Sequence, residues 1–328
     1  MKSNEVALRS LFGPSVLMMV LSALLLSAPA RAFDLQGHRG TRGLAPENTL
    51  TAFRKAIALG VSTLELDVGL TRDGHVVVSH ERRINADLAR DKSGQWLAQP
   101  GPPLHTLTLA EVQSWDVGRL RPGTVYARTY PEQVAADGET IPTLDALFTL
   151  VSNSGNTRLR FNIETKVNPL EPNESAPFDV LTRELLAVIK RHGMQGRVTV
   201  QSFDWRTLRL VQQLEPHIPT SALSARQSFM DNLSDARWTD GLRLQDHGDS
   251  VPRLAKAVGA KIWSPYHGEL TQPLVQEAHA LGLKVVPYTV NAPEQIDRLV
   301  AWGVDGIISD YPDRVQKVLA QRGVALDR

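Results

Sequence analysis

The sequence predicts an α/β protein built as a (β/α)8 barrel, with a small insertion after the second strand and its hairpin. Three observations carry this. Eight short β-like runs recur along the chain, at residues 35–38, 63–68, 159–164, 198–202, 220–223, 261–264, 284–289 and 306–309. Most are nearly continuous apolar runs, as strands buried on both faces of a parallel sheet must be. Amphipathic helical patterns separate them, several closed by a glycine shortly before the next strand. A doubly wound open sheet uses the same alternation and is the alternative.

The elements can be taken in order. Residues 49–59 place Leu50, Phe53 and Ile57 on one stripe and stop at Gly60. After the second strand, "TRDGHVVVSH" at 71–80 contains Asp73-Gly74, a strong hairpin turn signal. A parallel return needs a crossover of about a dozen residues, so residues 76–80 are expected to run antiparallel to strand two. Residues 85–142 are rich in Gly, Pro and polar residues and read as an excursion above the barrel, with a short helix near 109–115. Asp204 is placed to cap a helix carrying Leu208, Val211 and Leu214. Thr271 is placed to cap another, carrying Leu274, Val275, Ala278 and Leu281 and ending at Gly282. Residues 293–302 carry Ile296, Leu299 and Val300 before Gly303.

The chain has 328 residues, 42% hydrophobic and 22% charged, an ordinary globular composition for one large domain or two small ones. A formal net charge of +1 gives no polybasic surface for nucleic acid. Cysteine is absent, which excludes disulfides, thiolate chemistry and a lipid on an N-terminal Cys. Any metal must be held by oxygen or imidazole. Lys2 and Arg9 precede an apolar run at 16–28 that ends in "SAPARA", where Ala30 and Ala32 form a small-x-small cleavage site. Residues 1–32 therefore read as a secretory signal peptide and residues 33–328 as the folded domain, starting at Phe33. The apolar run is short for a membrane span, which needs about 20 residues, and this argues against an uncleaved anchor. Cleavage removes Lys2, Arg9, Arg31 and Glu5, leaving 33 basic and 34 acidic residues, a formal charge of −1. The expectation is an exported protein, most simply periplasmic, with no stable membrane insertion.

In such a barrel, chemistry belongs at the C-terminal ends of the strands, and polar residues sit there. His38 and Arg39 end strand one, and Glu65 and Asp67 lie in "TLELDVGL" on strand two, facing one way. His80 closes the hairpin; Glu164 and Lys166 end "LRFNIETK". Buried charges without partners cost several kcal/mol each, so three converging acids call for a cation, and an oxygen donor set suits hard Ca²⁺ or Mg²⁺. Arg39 and Lys166 then need an anion, for which phosphate is natural. Two histidines flanking that anion suit general base and general acid. Taken singly, "ELD" reads equally well as a salt-bridged strand end. The remaining histidines, His75, His105, His192, His217, His247, His267 and His279, read as structural. Gly37 and Gly40 are expected to let the backbone approach a ligand.

The series "HRG…APENT…ELDV…TRDG…VVVSH…NIETK…YTVN…DGIISDYPD" resembles the glycerophosphodiester phosphodiesterases, in the family's order, from about Leu35 to Arg314. The resemblance implies a TIM barrel of the phosphatidylinositol-phospholipase-C-like type. It implies metal-dependent hydrolysis of deacylated phospholipids to sn-glycerol 3-phosphate and an alcohol. Carried over by motif, His38 and His80 are the acid/base pair, Glu65, Asp67 and Glu164 the metal ligands, and Arg39 and Lys166 the phosphate-binding groups. Glu47 in "APEN" is a supporting acid beside Arg39 or His38. Phe203, Trp263 and Tyr288 are candidates for the alcohol-side pocket, whereas Trp302 reads as core. Two positions depart from the family pattern: Glu81 follows His80 where Asp is usual, and Tyr288 replaces Trp in "WTVN". The first leaves the orientation of His80 open, the second the head-group pocket. A related phosphodiesterase acting on intact phospholipid, and a non-catalytic glycerophosphodiester-binding protein, are the rival readings.

Overall fold

In the computed structural model, which describes residues 32–327, strand and helix alternate from the start. Strand β1 (Asp34–Gly37) leads to α1 (Leu50–Leu59), β2 (Thr63–Leu70) and the short return strand β3 (Val76–Val78). The insertion follows, with α2 (Leu109–Val112) and α3 (Val125–Thr129). Next come α4 (Leu144–Asn153), β4 (Arg160–Thr165), α5 (Phe178–Arg191), β5 (Val198–Ser202), α6 (Trp205–Leu214) and β6 (Thr220–Ser224). A small hairpin, β7 (Arg226–Gln227) and β8 (Met230–Asp231), precedes α7 (Val251–Ala257). The last units are β9 (Ile262–Pro265), α8 (Gln272–Ala280), β10 (Lys284–Val285), α9 (Pro293–Ala301), β11 (Gly306–Ser309) and α10 (Pro312–Arg322). The leader expected over residues 1–32 lies, except for Ala32, outside the described residues. Phe33 is buried and its backbone bonds to Ala325 and Asp327.

Eight strands pair in parallel in the order β10-β9-β6-β5-β4-β2-β1-β11. Backbone bonds close the ring between the outer two: Asp305 N to Val285 O at 2.9 Å, and Ile308 N to Pro287 O and Val290 N to Ile308 O at 3.0 Å. The fold is the predicted TIM barrel, and its closure removes the edges that a doubly wound sheet would leave. Strand seven is shorter than expected. Its regular ladder covers 284–285 rather than 284–289, although Val286 N and Tyr288 N still bond Trp263 O and Pro265 O; Pro287 itself has no N–H to contribute.

Local chemistry explains the boundaries. The Thr49 hydroxyl caps α1 by accepting from Ala52 N, and Gly60 ends it at φ 75°. Asp204 caps α6 through Arg206 N. Thr271 holds the cap position of α8 but makes no capping bond; Pro273, at the start of that helix, has no donor to satisfy. The hairpin forms as expected, with Val68 opposite Val78 and Leu70 opposite Val76 around Gly74 at φ 83°. Trp302 packs against the main apolar core.

The insertion is not a loose cover. Val77, Ile84, Ala89, Leu104, Val112 and Ile141 form its own small core, with Leu97 and Trp115 packed on it. It also clamps the loop after β1, where Gln133 Nε2 donates to Arg42 O at 2.7 Å; just before the insertion, Arg83 pairs with Glu174 at 2.6 Å.

Gly37 and Gly40 serve the turn after β1 rather than a ligand. A Cβ on Gly37 would lie 2.2 Å from the Gly40 carbonyl oxygen, and one on Gly40, at φ 84°, would lie 2.8 Å from the Ala52 backbone in α1. Gly40→Ala is therefore expected to destabilise the fold by about 1–3 kcal/mol, read as a lowered midpoint in chemical denaturation; an unchanged midpoint contradicts this account of the turn.

Candidate active site

Strand register builds the acidic centre. The β2–β4 pairing sets Asp67 beside Glu164, and Glu65, two residues back on β2, points the same way. One oxygen from each of Glu65, Asp67 and Glu164 lies within 4.8 Å of the others, and all three residues are buried. Glu65 accepts from Arg39 N at 2.9 Å and from Gln201 Nε2 at 2.8 Å. Asp67 accepts from Asn48 Nδ2 at 3.0 Å, but its Oδ1 is buried with no hydrogen-bond partner. Lys166 Nζ lies 2.6 Å from Glu164 Oε1 and 3.7 Å from Asp67 Oδ1.

Burial and then the Asp67 charge push Glu65 well above the usual carboxylate range. Burial does the same to Glu164, which rises to about 7 even with Lys166 beside it. Burial also opposes ionisation of Asp67, yet His80, Lys166, Arg39 and the Asn48 amide together hold it far below the ordinary value. Without a cation, only part of the trio ionises readily. Three converging carboxylates and an orphaned carboxylate oxygen fit a hard metal ion, which these residues could hold.

The basic groups gather around this centre. Arg39 follows β1 in the left-handed region, at φ 49°. Its Nη1 donates to Glu47 Oε1 at 2.7 Å, and its Nε lies 3.4 Å from Asp67 Oδ2. Glu47 thus supports Arg39 rather than His38. His38 Nδ1 lies 2.7 Å from Asp310 Oδ1 and His80 Nδ1 lies 2.8 Å from Glu81 Oε1. Ionised carboxylates only accept, so each Nδ1 carries the proton and each Nε2 is left with a lone pair. Glu81 therefore orients His80 despite its extra methylene. Burial, then the Arg42 charge, lowers His38 to about 4, with Asp310 opposing. His80, crowded by the cavity wall and facing Arg39 and Lys166, is also held well below the ordinary histidine range.

A cavity of about 390 Å³ joins these groups; His38, Arg39, Glu65, His80, Glu164 and Lys166 all line it. Asp67 and Glu47 are not among its lining residues and touch the site through Lys166 and Arg39.

Residues 38–314 match the model of the glycerophosphoryl diester phosphodiesterase family. The chain belongs to that family. It is similar to the glycerophosphodiester phosphodiesterase of Caldanaerobacter subterraneus subsp. tengcongensis, at 29% identity over 87% of this chain and 97% of the relative. The Bacillus subtilis enzyme of the same name is also 29% identical, over 86% of this chain and 84% of its own. A solved structure from Silicibacter pomeroyi, provisionally described as a glycerophosphoryl diester phosphodiesterase, superposes with TM-score 0.82 at 35% identity, covering 91% of this chain and 96% of that one. A phosphodiesterase from Oleispira antarctica, solved with its product sn-glycerol-3-phosphate, shares the fold at TM-score 0.64 and 23% identity over 88% and 97% of the two chains. The chain is therefore an enzyme of the glycerophosphodiester phosphodiesterase family, a family of hydrolases.

Two residues of this site, Asp310 and Tyr126, have no role in the reading by motif. Asp310, after β11, holds His38 and also accepts from Arg42 Nε at 2.8 Å and Asn291 Nδ2 at 2.7 Å. It stands in "SDYPD", so its position at the end of the eighth strand was a usable signal. Tyr126 from α3 bonds Glu47 and lies 3.4 Å from Arg39 Nη1 and 3.5 Å from Arg42 Nη1. Nothing near it in sequence announces this. Of the proposed pocket aromatics, Phe203 and Tyr288 line the cavity. Trp263 does not: it is 2% exposed and donates Nε1 to Ser224 Oγ at 2.9 Å.

Asp310→Asn keeps the size of the side chain but offers an amide that can present N–H to His38 and favour the wrong tautomer. Turnover of glycerophosphocholine is expected to fall by about 10²–10⁴-fold with the fold intact. Near-normal turnover contradicts the orienting role.

Proposed function

We propose that this chain hydrolyses glycerophosphodiesters to sn-glycerol 3-phosphate and an alcohol, with a divalent cation and two histidines. One observation carries the reading: a buried trio of carboxylates, two of them lining the cavity, stands beside two imidazoles in that cavity, each held at Nδ1 by its own carboxylate. The product bound to the Oleispira relative is the one this reaction releases.

Arg39 and Lys166 bind the phosphoryl oxygens and fix the diester between the histidines. Glu65, Asp67 and Glu164 hold the cation, Ca²⁺ or Mg²⁺, which when bound offsets charge on the phosphoryl group. His38 and His80 each present an Nε2 lone pair at the cavity. One accepts a proton from the attacking hydroxyl, of water or of the glycerol 2-position, and the other, protonated once the anionic diester is bound, donates to the departing alkoxide. Attack by the glycerol 2-hydroxyl leaves a cyclic phosphate, which water then opens with the two histidines in exchanged roles, giving the monoester. A binding protein would have no use for two oriented proton carriers. The inward packing of Leu97, Leu104 and Trp115 within the insertion favours a water-soluble diester over intact lipid. The leader-like residues 1–32 support export to the periplasm.

His38→Ala and His80→Ala are each expected to lower glycerophosphocholine hydrolysis by about 10²–10⁴-fold; near-normal rates reject these roles. Exhaustive EDTA treatment is expected to abolish turnover until Ca²⁺ or Mg²⁺ is restored, and full activity after it rejects the metal.

A further inference from the structure

The mouth of the barrel is divided chemically. The charged groups come from β1, β2 and β4, which are neighbours in the ring, and from the segment after β3, which pairs with β2. Across the cavity, Phe203 after β5, Leu223 on β6, Phe229 and Met230 on the β7–β8 hairpin and Tyr288 after β10 form a largely apolar wall. Phe203 and Tyr288 meet edge to face, with centroids 5.8 Å apart and planes at 85°. Tyr266 extends the set, 6.3 Å from Tyr288 and 5.3 Å from Phe229.

Phe229 sits at the hairpin tip and is 64% exposed. The hairpin is fastened at both ends. Glu269 accepts from Arg226 N at 2.8 Å and Gln227 Nε2 at 2.7 Å, and buried Asn232 bonds Ala225 N, Leu223 O and Phe203 O at 3.0 Å. A large ring is thus held against water at the cavity edge, where a bound ligand would cover it. Glu269 forms no ion pair among the described residues, and its charge, with that of Glu164, raises Tyr288 after burial has done so. The hydroxyl of Tyr288 is already donated to Ser224 O at 3.0 Å. Perpendicular ring faces backed by an unneutralised carboxylate suit a soft, poorly hydrated cation better than a polyol.

Resting on the proposed activity, we infer that this wall is the subsite for the leaving alcohol, that it takes an N-methylated aminoalcohol, and that Phe229 determines the preference. The phosphodiester then spans the mouth, with its phosphoryl group toward Arg39 and Lys166 and its ammonium group among the rings.

The test compares kcat/KM for glycerophosphocholine with that for its uncharged 3,3-dimethylbutyl isostere, in the wild-type enzyme, Phe229→Ala and Phe229→Trp. The isostere keeps the shape and removes the charge. The wild type is expected to favour the charged ester by about five- to thirtyfold. The ratio should fall below about threefold in Phe229→Ala and survive in Phe229→Trp. Equal rates on the two esters, or a ratio unmoved by Phe229→Ala, overturn the inference while leaving the hydrolase reading intact. A wild type inactive on both esters and on glycerophosphoglycerol overturns the proposed function, and this inference with it.

Discussion

Three carboxylates forced together in a buried place set the terms for everything around them. Glu65, Asp67 and Glu164 repel one another and lose hydration, and each such charge left alone costs several kcal/mol. Their neighbours read as responses to that problem. Lys166 and Arg39 bring positive charge, while Asn48, Gln201 and the Arg39 amide bring donors. One oxygen, Asp67 Oδ1, still has no hydrogen-bond donor. The arrangement could hold a cation, and under the proposed function the same positive surround that tolerates the trio draws in the phosphodiester.

The barrel produces this cluster through register more than through packing. Parallel pairing of β2 and β4 fixes Asp67 beside Glu164, and the two-residue period of β2 aligns Glu65. Below them, Asn162 on β4 donates to Gln36 on β1 and Gln201 on β5, and Gln201 passes the chain of bonds to Glu65. This polar layer ties the acids to the neighbouring strands. A one-residue slip of β2 would turn both of its acids outward. Closing the ring through Val285, Pro287 and Ile308 makes such a slip hard, because every stave is held on both sides.

Much of this was legible in the sequence, because strands carry their chemistry at fixed periods. "TLELDVGL" shows two acids on one face, and Asp73-Gly74 shows the return strand. His38, Arg39, Glu164 and Lys166 stand at strand ends, where a barrel puts its site. What stayed hidden depends on contacts between distant segments. The pairing of Asp310 with His38 joins the last strand to the first, 272 residues apart. The reach of Tyr126 to Glu47 depends on how a long insertion folds back, and no local periodicity encodes that. The regular ladder of strand seven stops at Val285 although the apolar run itself continues to residue 289. Trp263 looked like a pocket residue because strand position alone does not say which way a ring turns.

The insertion, which reads as an excursion above the barrel, belongs to the site. Tyr126 bonds Glu47 and lies beside the guanidinium groups of Arg39 and Arg42, and Arg42 stacks 4.7 Å over the Tyr130 ring. The loop after β1 is thereby braced from above as well as from α1. Whether the acidic trio holds one cation is read directly by calorimetric titration of Ca²⁺ or Mg²⁺ into metal-stripped protein, alongside Asp67→Asn. One ion per chain is expected for the wild type and no measurable binding for the variant. Equal binding by both proteins, or none by the wild type, would show that the trio is not the cation site.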